Sequence, residues 1–154
     1  DVPIYIRTGK RLKTKATRID IVFKTVPGNI FTSQTLADNI LTIKVEPEGQ
    51  ISLLINTKKV GQGYELQEQH LHLHPAAGEK VPEAYEKLLH DALLGDATNF
   101  THWEEVAYSW KFVDAIRQAW DQGTLPLVEY PCGSMGPKQA DLLLQNDQRQ
   151  WIFK

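Results

Sequence analysis

A short basic segment near the start of the chain carries the residues best suited to bind an anion. Six basic residues and no acidic one lie between positions 7 and 18, in a chain of 154 residues with a formal net charge of -2. They are Arg7, Lys10, Arg11, Lys13, Lys15 and Arg18. Because like charges repel, such crowding indicates an anion among them. The segment, here called the basic turn, follows a strand-like stretch (residues 2–6) and contains Gly9, so it could hold a phosphate.

The same pattern also occurs on solvated charged faces and nucleic-acid patches. Two features of this chain favour a small anion instead. The chain is slightly acidic overall, so no wide positive field exists to hold a polyanion. The basic turn is also short, and no aromatic residue interleaves with it as base stacking requires. A compact phosphate needs only a few donors, with lysine as a point charge and arginine as a bidentate fork.

A row of three histidines, His70, His72 and His74, alternates with leucine along a predicted strand. Alternation places the imidazoles on one face, where histidines can serve as zinc ligands. The outer two lie roughly 13 Å apart on an extended strand, too far to share an ion with Zn–N bonds of ~2.1 Å unless the strand bends. Neighbouring pairs could still help to bind one. We predict no metal site and a solvated or interface-facing sheet surface, sensitive to pH near about pH 6.

No motif for nucleophilic catalysis accompanies Cys132 or Ser134. Cys132 lies in a Pro-Cys-Gly-Ser turn, and it stands where the first glycine of a Gly-x-Ser-x-Gly elbow around Ser134 belongs. The sequence holds neither a Gly-x-Gly-x-x-Gly pattern nor a P-loop, so no dinucleotide binds in the usual βαβ manner. We therefore assign no catalytic, cofactor-binding or metal-binding residue to this chain. Asp91, Glu104 and Glu105 are interpreted as helix-surface charges.

The first half of the chain predicts strands. Residues 18–24, 39–45, 51–56 and 66–74 mix β-branched, apolar and polar residues as strands do. A Pro/Gly loop at 46–50 predicts a hairpin, and Pro27-Gly28-Asn29 a turn. In the last strand, leucines face one side and histidines the other, as in a one-sided antiparallel sheet.

The second half predicts helices. One begins near Pro82 and stops at Gly95, and another follows a capping box at 101–104. The second helix carries an apolar stripe with three of the four tryptophans, interpreted as core. Residues 137–145 predict a third helix, and residues 151–153 are expected to pack back on the body. Strands followed by helices predict an α+β fold, with residues 1–154 as a single domain.

Composition predicts a cytoplasmic protein. No apolar run approaches the ~20 residues of a membrane span, and no signal peptide opens the chain. Cys132 is the only cysteine, which favours a reducing compartment. The first residue is Asp1 rather than methionine, from which we expect the chain to start inside a longer protein.

Several separated motifs, in the right order, resemble the C-terminal domain of glucose-6-phosphate dehydrogenase over essentially the full length. They are residues 2–12, 82–91, 95–96, 110–120 and 130–137. The lack of a second-cofactor pattern is similar to the bacterial branch of the family. The family's Rossmann domain, its Gly-rich cofactor loop and its catalytic histidine are expected upstream of Asp1.

The resemblance implies a large, mostly antiparallel sheet with helices packed on one face, and a homodimer formed through the sheet. It implies hydride transfer from C1 of glucose 6-phosphate to NADP or NAD, giving 6-phosphogluconolactone in the pentose phosphate pathway. By position, Lys10 and Lys15 are the family's two lysines that contact the substrate. The nicotinamide cofactor would bind the missing domain, so this chain alone is expected to be inactive. The alternative is a stand-alone sugar-phosphate-binding or interaction module without catalysis.

Some positions depart from the family's pattern. Glu46 stands where some relatives use a glutamine near the substrate, so it receives no substrate role. Ala16, Asp20 and Ser52 stand where the structural NADP site of some animal enzymes wants basic or aromatic groups. We therefore expect no structural cofactor in this chain.

Overall fold

The computed structural model describes residues 2–25, 37–47, 49–61, 63–74 and 84–153. Their elements are β1 (Thr17–Val22), β2 (Ile40–Glu46), β3 (Gln50–Lys58), β4 (Leu66–Leu73), α1 (Ala84–Leu94), α2 (Trp103–Asp121) and α3 (Lys138–Gln145). The chain divides into two compact units, one of residues 1–77 with 129–154 and one of residues 78–128. The predicted α+β class is confirmed.

The first unit contains a sheet with the strand order β1-β2-β3-β4, and all neighbours are antiparallel. The four predicted strands and the hairpin between β2 and β3 are confirmed. The prediction of a large sheet is wrong, because the described sheet has four strands. Residues 2–6 lie outside it: Pro3 has no N–H for a ladder, and Tyr5 bonds to Asp147 near the other end of the chain.

Strand pairing separates a polar from an apolar face of the sheet. Asp20 pairs with Thr42, Thr42 with Ser52, and Ser52 with His72, so their side chains share the polar face with the histidine row. Val22, Ile40 and Leu54 lie on the same face in register with His70. The predicted opposition of histidines and leucines in β4 is thereby confirmed. The opposite face is mostly apolar, with Thr57, Gln67 and Gln69 as polar exceptions toward one end of β3 and β4. Its apolar residues are Ile19, Ile21, Leu41, Ile43, Val45, Ile51, Leu53, Ile55, Leu71 and Leu73.

The second unit contains helices α1 and α2. Gly95, at a φ of 71°, ends α1 as predicted. The capping box is wrong: α2 begins at Trp103 with His102 as its N-cap, and no side chain caps it. The helix starts one residue later than the box requires, so Thr101 and Glu104 no longer have the spacing of N-cap and N3. Glu104 and Glu105 still lie in the first turn, where the helix dipole favours acids.

The apolar stripe of α2 is exposed, so its interpretation as core is wrong for the described residues. No residue of α2 is buried, and Trp103, Trp110 and Trp120 are all largely accessible. An apolar stripe is buried only where another layer covers it, and the described residues of this unit supply none. None of the described helices is long and apolar enough to cross a bilayer. The turn predicted at 27–29 and the helix start at Pro82 lie outside the described residues.

Candidate anion-binding site

The basic turn is held against a second turn more than a hundred residues away in sequence. Tyr130 Oη donates a hydrogen bond to the Lys10 carbonyl oxygen at 2.8 Å. The Gly133 amide donates to the Arg11 carbonyl and the Lys13 amide to the Ser134 carbonyl, each at 2.9 Å. Three hydrogen bonds within four residues fix the backbone that carries the central cations. We call residues 130–136 the Tyr130 turn.

Close packing between the two turns explains why position 9 is a glycine. A Cβ at Gly9 would lie 2.9 Å from Tyr130 Oη and 3.3 Å from Leu12 Cδ2. Any side chain there would push Tyr130 away from the Lys10 carbonyl. Two residues later, Arg11 adopts a φ of 55°, in the left-handed region that non-glycine residues seldom enter. The carbonyl of this unusual residue accepts the Gly133 amide, which holds the conformation in place.

The Tyr130 turn uses its own polar groups to keep its shape. Ser134 Oγ donates to the Pro131 carbonyl at 2.7 Å and accepts the Gly136 amide at 3.3 Å. Gly133 and Gly136 both have positive φ, which glycine adopts at low cost. The Ser134 hydroxyl is therefore a structural group, in keeping with the absence of a nucleophile elbow. Cys132, between these residues, is an exposed free thiol.

The four inner cations of the basic turn are exposed, and none makes a side-chain hydrogen bond or ion pair with a described residue. They are Lys10, Arg11, Lys13 and Lys15. The backbone from Lys10 to Lys13 is fixed while the charged ends of all four are accessible, which is the arrangement that an anion site needs. The site offers charge and hydrogen-bond donors but no acid–base pair. Within the described ranges, no three His, Cys, Asp or Glu side chains form a metal-binding group.

The two outer arginines are held by the C-terminal residues instead of facing solvent. The Arg7 guanidinium lies 4.4 Å from the Trp151 ring centroid and donates to the Phe153 carbonyl. Burial lowers the pKa of Arg7 from its ordinary value, and the nearby charge of Asp141 opposes that shift. Arg18 lies 4.7 Å from the Phe153 ring centroid. The prediction that residues 151–153 pack back on the body is confirmed.

Arg18 also anchors the first residues of the sheet. It pairs with Asp20 and lies 3.3 Å from Thr42 Oγ1, which itself donates to Asp20 Oδ1 at 2.6 Å. Thr42 is buried, and Asp20 is largely buried beside it. The last cation of the basic turn is thus used by the fold, and Asp20 serves as its counter-ion.

The histidine row lies along the polar face of the sheet. Adjacent rings are stacked, with centroids 6.1 Å apart for His70 and His72 and 6.2 Å apart for His72 and His74. Gln50 Nε2 lies 3.5 Å from His72 Nδ1 and 3.4 Å from His74 Nε2. All three histidines are exposed. The row is a sheet-surface feature, as the alternation predicted.

The other positions considered from the sequence lie in ordinary strand surroundings. Glu46 is exposed at the end of β2, opposite Thr17. Ala16 is exposed immediately before β1. Ser52 pairs with Thr42 and His72 on the polar face.

Asp91 is buried, so its interpretation as a helix-surface charge is wrong. Its side chain is 6% exposed, and it accepts Asn99 Nδ2 at 2.6 Å and Lys87 Nζ at 3.1 Å. The hydrogen bond from Asn99, and then that from Lys87, lowers the pKa of Asp91. The carboxylate therefore joins the end of α1 to the turn that follows it. Helical spacing alone did not reveal this role, because the partner Asn99 lies beyond the helix.

Sequence reasoning missed two features of the site: the direct support of Lys10 by Tyr130, and the use of both outer arginines by the C-terminal residues. The support of Lys10 by Tyr130 could have been suspected from the sequence, since Gly9 and residues 130–137 both belong to the motifs that carry the resemblance. For the contacts of the outer arginines, the sequence offered only the aromatic residues near the C-terminus as an indication, because contacts across this sequence distance arise only on folding.

Comparison with known proteins supports the resemblance on which this site was predicted. Residues 1–152 match the family described as glucose-6-phosphate dehydrogenase, C-terminal domain. Glucose-6-phosphate 1-dehydrogenase of Bacillus subtilis is 46% identical over 154 residues, covering 97% of this chain and 32% of the relative. The enzyme of Leuconostoc mesenteroides is 40% identical over 155 residues, covering 99% of this chain and 32% of the relative. The chain thus spans about a third of the length of these curated relatives.

Solved structures agree with this assignment. A glucose-6-phosphate dehydrogenase in complex with its substrate glucose 6-phosphate has a TM-score of 0.78 and 31% identity, covering 95% of this chain and 30% of that chain. The fold is also shared with glucose-6-phosphate 1-dehydrogenase from Mycobacterium avium, at a TM-score of 0.69 and 23% identity. The chain belongs to the glucose-6-phosphate dehydrogenase C-terminal domain family.

Proposed function

We propose that this chain is the substrate-side domain of a glucose-6-phosphate 1-dehydrogenase, an oxidoreductase of the cytoplasm. The whole enzyme would transfer a hydride from C1 of glucose 6-phosphate to NADP or NAD and release 6-phosphogluconolactone. The observation that carries the proposal is the basic turn: its backbone is fixed by the Tyr130 turn while its inner cations face solvent. Family membership over residues 1–152 supports the same reaction.

In this proposal Lys10 and Lys15 bind the sugar phosphate and its hydroxyls. Both are exposed cations of the basic turn, without ion-pair partners among the residues described here. An ammonium group supplies charge and several donors to a phosphate. The two lysines would hold the substrate in place and would move no proton. The chemical step would belong to a Rossmann domain of the same protein, which binds the nicotinamide cofactor.

We further propose that residues 1–154 act as one domain with two roles, substrate contact and homodimer formation through the sheet. The support for the second role is the sheet's apolar face, of which Ile19, Ile21, Ile51, Leu71 and Leu73 stay substantially exposed. Apolar patches of this kind are typical of protein interfaces. The single free cysteine, Cys132, favours a reducing cytoplasm.

The decisive test is steady-state kinetics of the full-length dehydrogenase with Lys10→Ala or Lys15→Ala. We expect KM for glucose 6-phosphate to rise by roughly one to two orders of magnitude, because a charged hydrogen bond contributes ~1.5–3 kcal/mol. Lys59→Ala is the matched control, since Lys59 is exposed and its ammonium group pairs with Glu65 in the loop after β3. An unchanged KM in both test variants would refute the proposed role.

A second measurement separates the dehydrogenase domain from the stand-alone binding module. The purified chain should bind glucose 6-phosphate weakly or not at all, and should not reduce NADP, because it holds only part of the site. Tight binding by the chain alone would favour the binding module. NADP reduction proportional to chain concentration would contradict the proposal that the chemical step belongs to the Rossmann domain.

A further inference from the structure

The C-terminal residues hold both ends of the basic turn at once. Trp151 lies against the guanidinium of Arg7, the first cation, at 4.4 Å from Cζ to the ring centroid. Phe153 lies against Arg18, the last cation, at 4.7 Å. The backbone of Phe153 also accepts a hydrogen bond from Arg7. Residues 151–153 therefore bridge two positions that are separated by the whole basic turn.

These C-terminal residues are themselves fixed to the rest of the unit. Trp151 Nε1 donates to the Ala140 carbonyl in α3 at 3.1 Å. The Tyr5 ring meets the Trp151 ring edge-on, with centroids 6.5 Å apart, and Tyr5 Oη bonds to Asp147. The hydrogen bond to Asp147 raises the pKa of Tyr5 above its ordinary value. The bridge is thus anchored to α3.

The two end cations of the basic turn have a different task from its inner cations. The arginines at the ends, Arg7 and Arg18, are partly buried and stacked on aromatic rings. A planar guanidinium stacks on a ring and donates in fixed directions, which an ammonium group cannot reproduce. Lys10 and Lys15 between them are exposed and face no described partner. Arginine therefore anchors both ends of the basic turn, whereas the third arginine, Arg11, stays accessible together with the lysines.

We propose that Trp151 and Phe153 form an aromatic clamp that sets the conformation of the basic turn and so positions Lys10 and Lys15 for the sugar phosphate. Trp151, Phe153, Arg7 and Arg18 are positioning residues in this scheme, and none contacts the substrate. Holding both ends of a segment reduces the ordering that ligand binding must impose, and this raises affinity without any new contact. The inference rests on the proposed function.

The test is Trp151→Ala in the full-length dehydrogenase. KM for glucose 6-phosphate should rise about 2- to 30-fold, the range produced by losing one cation–π contact. The values of kcat and of KM for the nicotinamide cofactor should stay unchanged, and Trp151→Phe should restore most of the substrate affinity. Ile152→Ala is the matched control, because Ile152 lies between the two clamp rings and is exposed. It should leave every constant unchanged.

Amide hydrogen exchange gives a readout besides activity. The Lys13 and Gly133 amides, which join the basic turn to the Tyr130 turn, should exchange faster in Trp151→Ala and not in Ile152→Ala. If Trp151→Ala does not fold, Arg7→Lys replaces it, with KM for glucose 6-phosphate and amide exchange measured in the same way. This variant keeps the positive charge but loses the guanidinium that stacks on Trp151, so both quantities should rise. Unchanged substrate KM and unchanged exchange would overturn the clamp, as would a fall in kcat alone.

Failure of the clamp can be told apart from failure of the proposed function. If Lys10→Ala raises the substrate KM and Trp151→Ala does not, the lysines bind substrate and the clamp is wrong. If Lys10→Ala and Lys15→Ala both leave KM unchanged, the substrate role of the basic turn is wrong, and the clamp falls with it.

Discussion

Each of the two compact units is stabilised internally, and the contacts within them differ greatly in their separation along the chain. In the first unit, Tyr5 bonds to Asp147, 142 residues away, and Tyr130 supports Lys10 across 120 residues. In the second unit, the buried carboxylate of Asp91 is satisfied by Lys87 and Asn99, four and eight residues away. The basic turn therefore depends on both ends of the chain, whereas the end of α1 depends on its immediate neighbours.

This difference shows where the candidate site is vulnerable. Joining residues far apart in sequence costs chain entropy, and packing and hydrogen bonds must offset that cost. The first unit has the buried residues that do so, notably Leu144 in α3 and Thr42 in β2. A change near the C-terminus should therefore reach the basic turn, while leaving the local contacts of Asp91 intact.

The largest effect is expected from removing the buried leucine of the first unit. Leu144 is 3% exposed, so Leu144→Ala should lower the free energy of unfolding by about 2–5 kcal/mol through lost burial and a cavity. Leu93→Ala is the matched control in the second unit, where the side chain is 88% exposed, and should change it by less than about 0.5 kcal/mol. Urea unfolding of the chain measures both. Equal losses of unfolding free energy in the two variants would contradict the expected difference between the units.

A smaller effect should come from crowding the contact between the two turns. The Cβ in Gly9→Ala would meet Tyr130 Oη at 2.9 Å, so we expect loss of the Tyr130–Lys10 hydrogen bond and of about 1 kcal/mol. In a Tyr130→Phe background that oxygen is absent, and the same substitution should cost less. Urea unfolding of the four chains in this double-mutant cycle gives the coupling. Equal costs in the two backgrounds would contradict the proposed contact.

The smallest effect is a pH dependence confined to the second unit. Hydrogen bonds from Asn99 and Lys87 lower the pKa of Asp91 in the folded chain, relative to about 3.9 when unfolded. Its stabilising contribution is therefore present above about pH 4 and is lost as the pH falls through the folded pKa. The difference in Tm between the wild-type chain and Asp91→Asn should thus be constant near neutrality and shrink in acid.

Thermal unfolding from pH 7 down to pH 2.5 checks this expectation. Asp114→Asn is the control, because Asp114 is an exposed carboxylate of α2, and its Tm difference from wild type should be small throughout. A difference between wild type and Asp91→Asn that stays the same at pH 2.5 would show that the Asp91 charge contributes nothing to folding.

Much of the fold could be predicted because its signals are local. Composition and turn residues identified the strands, alternation identified the face on which the histidine row lies, and Gly95 marked the end of α1. The errors arose where the structure depended on more than the local sequence pattern. The capping box at 101–104 was replaced by a start at Trp103, and the tryptophans of α2 were assigned to a core that the described residues do not form. Periodicity indicates which face is apolar but not what covers it.

By itself, the sequence determined which residues carry charge, which segments form strands and helices, and which family the chain belongs to, because these follow from residue type and short-range spacing. Only the tertiary structure decided how the six cations of the basic turn are used. Two of them, Arg7 and Arg18, stack on aromatic rings from the far end of the chain, and four stay exposed. Residue type is the same before and after folding, but burial and partners exist only once distant segments meet.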